Sequence, residues 1–477
     1  MNQVARGKAG MGRGAVAGGG GARRSIGQLD LMRSDARGIS WPPLIGARKA
    51  TLAALVQWLD RSQWFDPAEM EVRQYRQLAL LAGHLQRHSV RFAQRLADAG
   101  LEPADLARPE GLRSLPPLGR RDVQAKDPPI FCDSVPEGHA PVHEGRTSGS
   151  TGEPVVVRKT AVNRLHWMGM TLRYHLWAEP DFAHPICAIR ASMPRYGPTA
   201  GWGAPVSLFF NTGPGLMIDV EEDVGRQVEL IAGFAPGSLI VYPSNLVALI
   251  EQMDARGIDL PSLRRVRTIG ETLSQEVRDR AEARIGATVI DCYSSEEVGY
   301  IAMQCPDSQF YHLMGETLIV EVVDEEGRSC VDGEVGRLLV TDLHNHATPM
   351  IRYAIGDWAE AGPPCPCGRG LPTIRRILGR ERNMIVKPDG TRHWPLTGFK
   401  QFRDIAPIAQ YQMRQHAPDR IELRMVVERP LTVGEEGRLR QHLQSVLGQP
   451  FTIEFAYFDG RLPTGRNGKL EEFLRLF

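Results

Sequence analysis

Strand-like and helix-like segments alternate through the middle of the chain, and this alternation limits the fold more than any other feature. Residues 238–242 form a short apolar run typical of a buried strand, and an apolar helical pattern follows over 243–253. An amphipathic segment over 273–285 then precedes a β-branched run over 287–291. Strands that alternate with helices in this way predict a parallel α/β sheet.

Two other patterns flank this region. Leucines and valines recur at three- and four-residue spacing between Leu44 and Gly100, which predicts helices, and residues 317–343 read as long strand runs broken by turns, which predicts a β-meander. We therefore expect an α/β protein with a large N-terminal domain over 45–378 and a small α+β domain over 379–477. Residues 1–25, rich in glycine, are expected to be a disordered tail.

Composition excludes several classes of function. The chain of 477 residues has 57 Lys+Arg against 56 Asp+Glu, which argues against bulk electrostatic binding to nucleic acid or to an anionic membrane. No window approaches 18 uninterrupted apolar residues. Seven cysteines are too few for a disulfide framework in a chain of this size. These features favour a cytoplasmic protein in a reducing compartment.

A hydroxyl- and glycine-rich segment stands just before a β-branched strand at 155–157. Glycines let backbone N–H groups turn toward an anion, and hydroxyl groups add further donors. The segment therefore suits either the phosphates of a nucleotide or a flexible surface loop. It consists of Thr147, Ser148, Gly149, Ser150, Thr151 and Gly152.

Three charged motifs follow later in the chain. Glu296 and Glu297 come just after a predicted strand, where a carboxylate could hold Mg²⁺ or merely form a solvated turn. Asp357, in an Arg-Tyr-x-x-Gly-Asp motif, suits a ribose diol or an arginine–aspartate surface pair. Lys469 lies in a glycine-flanked segment near the C-terminus, and such a lysine alone is usually a solvated charge.

Taken together and in this order, the motifs resemble those of the acyl-adenylate-forming ligases. The order is a hydroxyl/glycine loop, Tyr-x-x-x-Glu, Arg-Tyr-x-x-Gly-Asp, Gly-Arg and finally Gly-Lys. Within that superfamily the chain is most similar to the phenylacetate-CoA ligase branch and its capsule-biosynthesis-type relatives, from about residue 45 to the end. The resemblance implies a large AMP- and acyl-binding domain with a mobile C-terminal lid. It also implies the reaction of ATP with a carboxylate to give an acyl-adenylate, followed by acyl transfer to CoA.

The resemblance also implies a role for each matching residue. Glu297 would bind Mg²⁺, Lys469 would bridge the substrate carboxylate and the α-phosphate, and Arg382 would lie at the hinge of the lid. The remaining positions would contact the nucleotide: residues 147–152 at the β- and γ-phosphates, Gly270 and Glu271 along the adenine, Tyr293 stacked on the adenine, and Asp357 with Arg380 at the ribose.

Two departures from the pattern of the relatives leave alternatives open. Ser294 and Glu296 replace the usual glycine and hydroxyl residue, so the metal ligand is ambiguous between two adjacent carboxylates. Residues 385–391 replace an Arg-Gly-Val-Asn-type loop that serves the pantetheine arm of CoA. A carrier-protein thiol or an amine could thus accept the acyl group, and a non-catalytic nucleotide-binding protein is the third reading. The acid itself is not identified, and a homodimer is expected only by analogy.

Cysteine and histidine spacing points to a second site. Cys305 and His312 are seven residues apart, and Cys365 and Cys367 follow about fifty residues later. Three thiolates with one imidazole suit a closed structural Zn²⁺ site, and some members of the resembled branch carry such a zinc; ordinary buried thiols are the alternative. Other histidines, including His344 and His346, are expected at the polar surface without a role.

Overall fold

A computed structural model gives the fold of most of the chain. The predicted tail over 1–25, the hinge residue Arg382 and Lys469 lie outside the residues that it describes, as do Ser148, Gly149, Ser150, Thr151 and Gly152 of the predicted phosphate loop. The structure describes residues 32–147, 154–179, 182–191, 197–380, 384–393, 402, 404–447, 451–463 and 473–477.

Helices form the N-terminal part of the chain, as the leucine spacing predicts. Leu78, Leu81 and Leu85 are fully buried along one face of the longest of them. Ser89 ends that helix and begins the next, because its side chain accepts a hydrogen bond from the N–H of Phe92. The helices are α1 (Ala47–Ser62), α2 (Pro67–His88), α3 (Val90–Asp98), α4 (Pro109–Ser114) and α5 (Arg120–Gln124), with a 3₁₀ turn at Pro103–Ala107.

A two-stranded hairpin and a long helix connect these helices to the main sheet. Strands β1 (His143–Arg146) and β2 (Val156–Lys159) pair antiparallel and enclose the predicted phosphate loop. Helix α6 (Ala161–Ala178) follows directly, and Thr160 caps its first turn. Strand β2 therefore leads directly into a helix that is buried over its second half.

In the part of the chain that the structure describes, twelve strands form one mixed sheet. Its order is β11-β12-β13-β14-β10-β9-β8-β7-β6-β3-β5-β4. Strands β5, β3, β6, β7 and β8 are mutually parallel. They are β3 (Ile186–Arg190), β4 (Gly197–Thr199), β5 (Gly215–Asp219), β6 (Ser238–Val241), β7 (Arg265–Ile269) and β8 (Thr288–Ser295).

Helical crossovers cover the parallel half, as the alternating pattern predicts. Val266, Val289 and Leu239 face a core that the crossover helices complete, while α6 packs on the opposite face of the sheet. Connections of this kind hold the carboxyl ends of all these strands at one edge. The helices are α7 (Val206–Phe209), α8 (Val224–Phe234), α9 (Pro243–Arg256) and α10 (Gln275–Ile285).

The other half of the sheet is antiparallel, which confirms the predicted meander and the α/β class. Strand β9 turns back from β8, and β10 lies between β9 and β14. The strands are β9 (Gly299–Gln304), β10 (Tyr311–Leu313), β11 (Leu318–Val323), β12 (Val335–Asp342), β13 (Tyr353–Ala361) and β14 (Thr373–Arg380).

A separate small sheet follows, with the strand, helix, strand order expected beyond residue 379. Helix α11 (Val433–Leu447) packs on it through Leu439, Leu443 and Leu447. A short hairpin of β15 (Ile385–Val386) and β16 (Arg392–His393) precedes it. The sheet has the order β19-β18-β17-β20, with β17 (Ile408–Ala417), β18 (Arg420–Val427), β19 (Thr452–Tyr457) and β20 (Phe473–Arg475).

Two expectations about the surface have different outcomes. None of the described helices is long and apolar enough to cross a lipid bilayer. His344 and His346, expected at the polar surface, are instead half-buried. The reason is that the loop after β12 folds inward, so that the His346 carbonyl lies 3.0 Å from His84 Nε2 on α2 and the His344 ring stacks on His166 of α6.

Candidate nucleotide site and metal centre

Three of the predicted nucleotide residues meet at the carboxyl end of β8. The Tyr293 hydroxyl donates a hydrogen bond to Asp357 Oδ2 at 2.5 Å. Asp357 lies opposite Arg380 across the β13–β14 pair, and the Arg380 Nε lies 3.4 Å from Asp357 Oδ1. Only 6% of Asp357 is exposed. The fold thus gathers a phenol, a carboxylate and a guanidinium from three strands at the edge where α/β sheets bind ligands.

The protonation of this group follows from its burial. Burial, and next the negative charge of Asp357, raise the pKa of Tyr293 well above its ordinary value. Tyr293 therefore stays a neutral hydrogen-bond donor at physiological pH, and Asp357 acts as the acceptor. A carboxylate only accepts hydrogen bonds, and this one is held by Tyr293 on one oxygen and by Arg380 on the other. Such an acceptor suits the two hydroxyl groups of a ribose.

The structure separates the two adjacent carboxylates that the sequence left ambiguous. Glu296 is exposed, and Lys159 of β2 reaches both its backbone carbonyl and its side-chain Oε1, the latter at 3.3 Å. Glu297 is 7% exposed and has no hydrogen-bond or ion-pair partner among the described residues. Of the two carboxylates, only that of Glu297 is therefore buried and without a partner among the described residues.

Tyr353 is a site residue that sequence reasoning missed. Its ring is almost wholly buried, and burial raises the pKa of its phenol well above the ordinary value, with the negative charge of Glu297 as the second cause. It also lies within the fields of Arg380 and Asp357. The sequence signal that could have pointed to Tyr353 is its position directly after Arg352 in the Arg-Tyr-x-x-Gly-Asp motif.

Arg352 in that motif has a structural role, and its partner is Glu321, not Asp357. Arg352 is 4% exposed, and its guanidinium binds both oxygens of Glu321 at 2.9 and 3.0 Å. It also donates to the carbonyls of Arg113 and Leu115. Arg352 thus connects the helical N-terminal part to the meander, and Asp357 instead contacts Tyr293 and Arg380.

Gly270 and Glu271 follow β7 at the same edge of the sheet. Gly270 has a φ of 74°, a left-handed conformation that glycine adopts without strain. Glu271 accepts hydrogen bonds from the backbone N–H and the hydroxyl of Ser244 in the first turn of α9, at 2.8 and 2.9 Å. This pair therefore joins the ends of β6 and β7 next to Tyr293.

The base of the predicted phosphate loop is closed by two hydrogen bonds. The Thr147 N–H donates to the Val155 carbonyl, and the Val155 N–H donates to the Thr147 hydroxyl, both at 3.0 Å. The two strands of the hairpin therefore enter and leave the loop side by side. The contact of Lys159 with Glu296 places this hairpin beside the β8–β9 turn.

Comparison with known proteins identifies this arrangement. The profile of the AMP-binding enzyme family matches residues 146–345, which include strand β2, Tyr293 and Glu297. Phenylacetate-coenzyme A ligase of Pseudomonas putida is 28% identical over 316 residues, 62% of this chain and 67% of the relative. The Thermus thermophilus enzyme of that name is 28% identical over 371 residues, 73% of this chain and 80% of its own. Over these residues the chain is therefore similar to AMP-binding enzymes and to ligases of the phenylacetate-coenzyme A type.

Solved structures share the fold of this chain. A 2-hydroxyisobutyryl-CoA ligase in complex with its acyl-adenylate superposes with a TM-score of 0.70 at 20% identity, over 87% of this chain and 91% of the other. An anthranilate CoA ligase bound to anthranoyl-AMP gives a TM-score of 0.52 at 15% identity, over 69% and 65% of the two chains.

The fold also brings together the four predicted zinc ligands. The side-chain donor atoms of Cys305, His312, Cys365 and Cys367 all lie within 4.8 Å of one another. The Cys305 and Cys365 sulfur atoms are 3.8 Å apart, and Cys367 Sγ is 3.3 Å from His312 Nε2. All seven cysteines are free thiols.

These distances fit a tetrahedral metal ion better than ordinary buried thiols. Sulfur ligands about 2.3 Å from a tetrahedral centre lie about 3.8 Å from each other, far beyond a disulfide bond of about 2 Å. The N–H groups of Asp307 and Arg369 point at two of the sulfurs, at 3.4 Å each. Such donors stabilise thiolates. The donor set and its surroundings therefore suit Zn²⁺.

Proposed function

We propose that this ligase activates a carboxylic acid with ATP and transfers the resulting acyl group to CoA. The observation that carries the proposal is the Tyr293–Asp357–Arg380 group at the carboxyl end of β8, which offers a buried acceptor for a ribose within a fold shared with acyl-adenylate complexes. The relatives named as phenylacetate-coenzyme A ligases support the same chemistry.

The reaction has two balanced steps. In the first, a carboxylate oxygen attacks the α-phosphorus of ATP, and pyrophosphate leaves. In the second, the thiol sulfur of CoA attacks the acyl carbon, AMP leaves, and the thiol proton is released to solvent. The first step converts a poor electrophile into a mixed anhydride with a good leaving group, so the protein must hold two anions together and offset their repulsion.

We assign the remaining residues to parts of this reaction. Thr147 and the loop after it would bind the β- and γ-phosphates through N–H and hydroxyl donors, and Gly270 and Glu271 would line the adenine. The Tyr293 ring would stack on the adenine while its hydroxyl orients Asp357 toward the ribose. Lys469 would carry the positive charge between carboxylate and α-phosphate, and Arg382 would serve as the hinge of a mobile lid.

We assign the magnesium ligand to Glu297. Its support is burial without a partner, whereas neighbouring Glu296 already pairs with Lys159. Glu297→Gln is expected to raise the Mg²⁺ concentration needed for half-maximal activity at least tenfold, with Glu296→Gln as the matched control at the wild-type value. Equal effects of the two substitutions would contradict the assignment.

The acid is tested by acid-dependent exchange of pyrophosphate into ATP. We expect exchange with at least one member of a panel of aromatic and aliphatic acids, aromatic acids first by analogy with the branch. Absence of exchange with every acid, in protein that binds ATP, would favour the non-catalytic alternative and contradict the proposal.

The acceptor is tested separately. Residues 385–393 form the short β15–β16 hairpin, in which the Lys387 N–H donates to the Thr391 carbonyl at 2.8 Å. We propose that this hairpin meets the pantetheine arm of CoA. Adding CoA to the preformed adenylate should then release AMP and give a thioester. Release only with a carrier-protein thiol or an amine would overturn CoA as acceptor and leave adenylation intact.

We propose a structural Zn²⁺ at the thiol–imidazole cluster. The ion would join the end of β9, strand β10 and the loop before β14, and no step of the reaction depends on it. Elemental analysis of purified protein should give about one zinc per chain. A homodimer, expected only by analogy, is tested by light scattering of the same sample.

A further inference from the structure

Six of the thirteen histidines of the chain form a cluster, although they come from four separate segments. The His166 and His344 rings stack with centroids 4.0 Å apart. The His346 ring lies 4.5 Å from that of His139 and 4.9 Å from that of His84. The histidine cluster comprises His84, His88, His139, His166, His344 and His346.

The histidine cluster lies against the hairpin that carries the predicted phosphate loop. Thr348, two residues after His346, accepts a hydrogen bond from the Arg158 N–H of β2 and donates one to the Arg158 carbonyl, at 2.9 and 3.0 Å. The His139 carbonyl accepts a hydrogen bond from the Ala161 N–H, just after β2, at 2.9 Å. The C-terminal end of strand β2 is therefore attached to two segments that carry cluster histidines.

Few negative charges face the cluster. From α2, His88 approaches Asp133 at 2.8 Å on the exposed outer side, and Arg87 adds a positive charge. From the loop after β12, buried Asp342 accepts a hydrogen bond from the His344 N–H. From β2, Lys159 contributes a second positive charge beside Asp342. Helix α6 contributes His166, whose ring contacts its own helix carbonyl at Val162.

The inner rings are accordingly neutral. Burial is the first cause that lowers the pKa of His84, His139, His166 and His344, and it lowers the pKa of His346 to about 4. The neighbouring imidazoles add to this effect at His344 and His346. Burial also raises the pKa of Asp342 to about 6. Acid thus adds positive charge to the rings, which disfavours the assembled form, whereas protonation of Asp342 removes a buried negative charge and offsets part of this effect.

We propose that the histidine cluster positions the β1–β2 hairpin for nucleotide binding, and that it does so only while its imidazoles are neutral. The proposal rests on the proposed function, since it takes the loop within the hairpin as the phosphate site. These histidines touch no reacting atom. They act on β2 indirectly, through the hydrogen bonds of Thr348 with Arg158 and of Ala161 with His139.

The direction of the pH effect follows from the lowered pKa values. A form with the hairpin released exposes imidazoles that titrate near their ordinary value of about 6.5, so it binds more protons below that pH than the assembled form. The assembled form is therefore fully favoured above pH 6.5 and is lost progressively as the pH falls below it. Because several rings are coupled, we expect the loss to involve more than one proton.

The first test is the ATP KM, measured by pyrophosphate exchange between pH 8 and pH 5.5. Below about pH 6.5 the logarithm of the wild-type ATP KM should rise by more than one for each unit by which the pH falls. In the double variant His344→Gln/His346→Gln the slope should fall below one. His416→Gln is the matched control, because His416 lies on β17 and pairs with Glu422 at 3.0 Å, and it should keep the wild-type slope. Equal slopes in the wild type and the double variant would overturn the proposal.

A second test needs neither nucleotide nor substitution. Amide hydrogen exchange of wild-type residues 143–159 is compared with that of strands β6 and β7 in the same sample, after correction for intrinsic exchange. As the pH falls from 7 to 5.5, the hairpin should lose protection before the sheet does. Simultaneous loss in hairpin and sheet would mean global acid unfolding and would overturn the proposal. Absence of pyrophosphate exchange at pH 8 would instead count against the proposed function, while the hairpin measurement would still decide on the cluster.

Discussion

The two ends of strand β14 hold two different kinds of site. At its last residue, Arg380 meets Asp357, which also accepts a hydrogen bond from Tyr293. Before its first residue, a loop presents Cys365 and Cys367 to thiol and imidazole donors that close around one point. The proposed nucleotide end includes a buried carboxylate without a partner among the described residues, Glu297, whereas the thiol end is closed.

This difference indicates that one end of β14 should govern the rate of the reaction and the other end the stability of the fold. Buried groups without partners, such as Glu297, lower the stability of the fold, and they become useful only when a ligand binds. Donors that surround a metal ion add their binding energy to folding. Substitutions at the nucleotide end should therefore change kinetics with little change in melting, and those at the thiol end should do the reverse.

The largest expected effect is that of Lys469→Ala. Removing the charge that offsets carboxylate–phosphate repulsion should lower the rate of adenylation about 100-fold or more, because the charge acts mainly in the transition state. Pyrophosphate exchange measures this rate, and exposed Lys126→Ala, distant from the motifs in sequence, is the control. Near-normal exchange in the Lys469 variant would count heavily against the assigned role.

Asp357→Ala should have the next largest effect. Loss of an acceptor for two ribose hydroxyl groups should raise the ATP KM roughly 10- to 100-fold, which corresponds to about 1.5–3 kcal/mol for hydrogen bonds to a charged group. The melting temperature of the variant is measured alongside. An unchanged KM in a folded variant would contradict the ribose role.

At the thiol end, Cys367→Ser should lower the melting temperature by about 5 °C or more and remove zinc, because the metal contributes to folding. Pyrophosphate exchange at 25 °C should remain close to that of the wild type. Cys330→Ser changes a thiol outside the cluster and serves as the control. A variant with normal melting but impaired exchange would reverse the comparison between the two ends.

The smallest expected effect is that of Tyr293→Phe, which keeps the ring and removes only the hydroxyl. Loss of one hydrogen bond to Asp357 should raise the ATP KM roughly 2- to 10-fold. Replacement by Ala, which also removes the stacking surface, should have the larger effect. If Phe and Ala variants were equally impaired, the ring would contribute nothing to adenine binding.

The sequence predicted the two sites to different degrees. The order of the motifs was enough to place Tyr293 and Asp357 in one site, because family patterns and strand ends both pointed there. It could not choose between Glu296 and Glu297, since adjacent residues on a turn differ only in what they contact. The thiol–imidazole cluster was predictable because short spacings such as Cys-x-Cys are visible locally.

The histidine cluster was not predictable in this way. Its members are spread from residue 84 to residue 346 and share no periodicity, so only the packing of α2, α6 and the loop after β12 reveals them. The role of Arg352 was hidden for a similar reason, because its partner Glu321 lies on another strand and the carbonyls it binds belong to a distant loop.

The central claim is that this ligase binds its nucleotide at the carboxyl end of β8 with the ribose on Asp357. A crystal structure with a non-hydrolysable acyl-adenylate mimic tests it most directly. We predict both ribose hydroxyl groups within hydrogen-bond distance of Asp357 and the adenine against Tyr293. A mimic bound elsewhere, with the Tyr293–Asp357 bond unchanged and the ribose out of reach, would contradict the account.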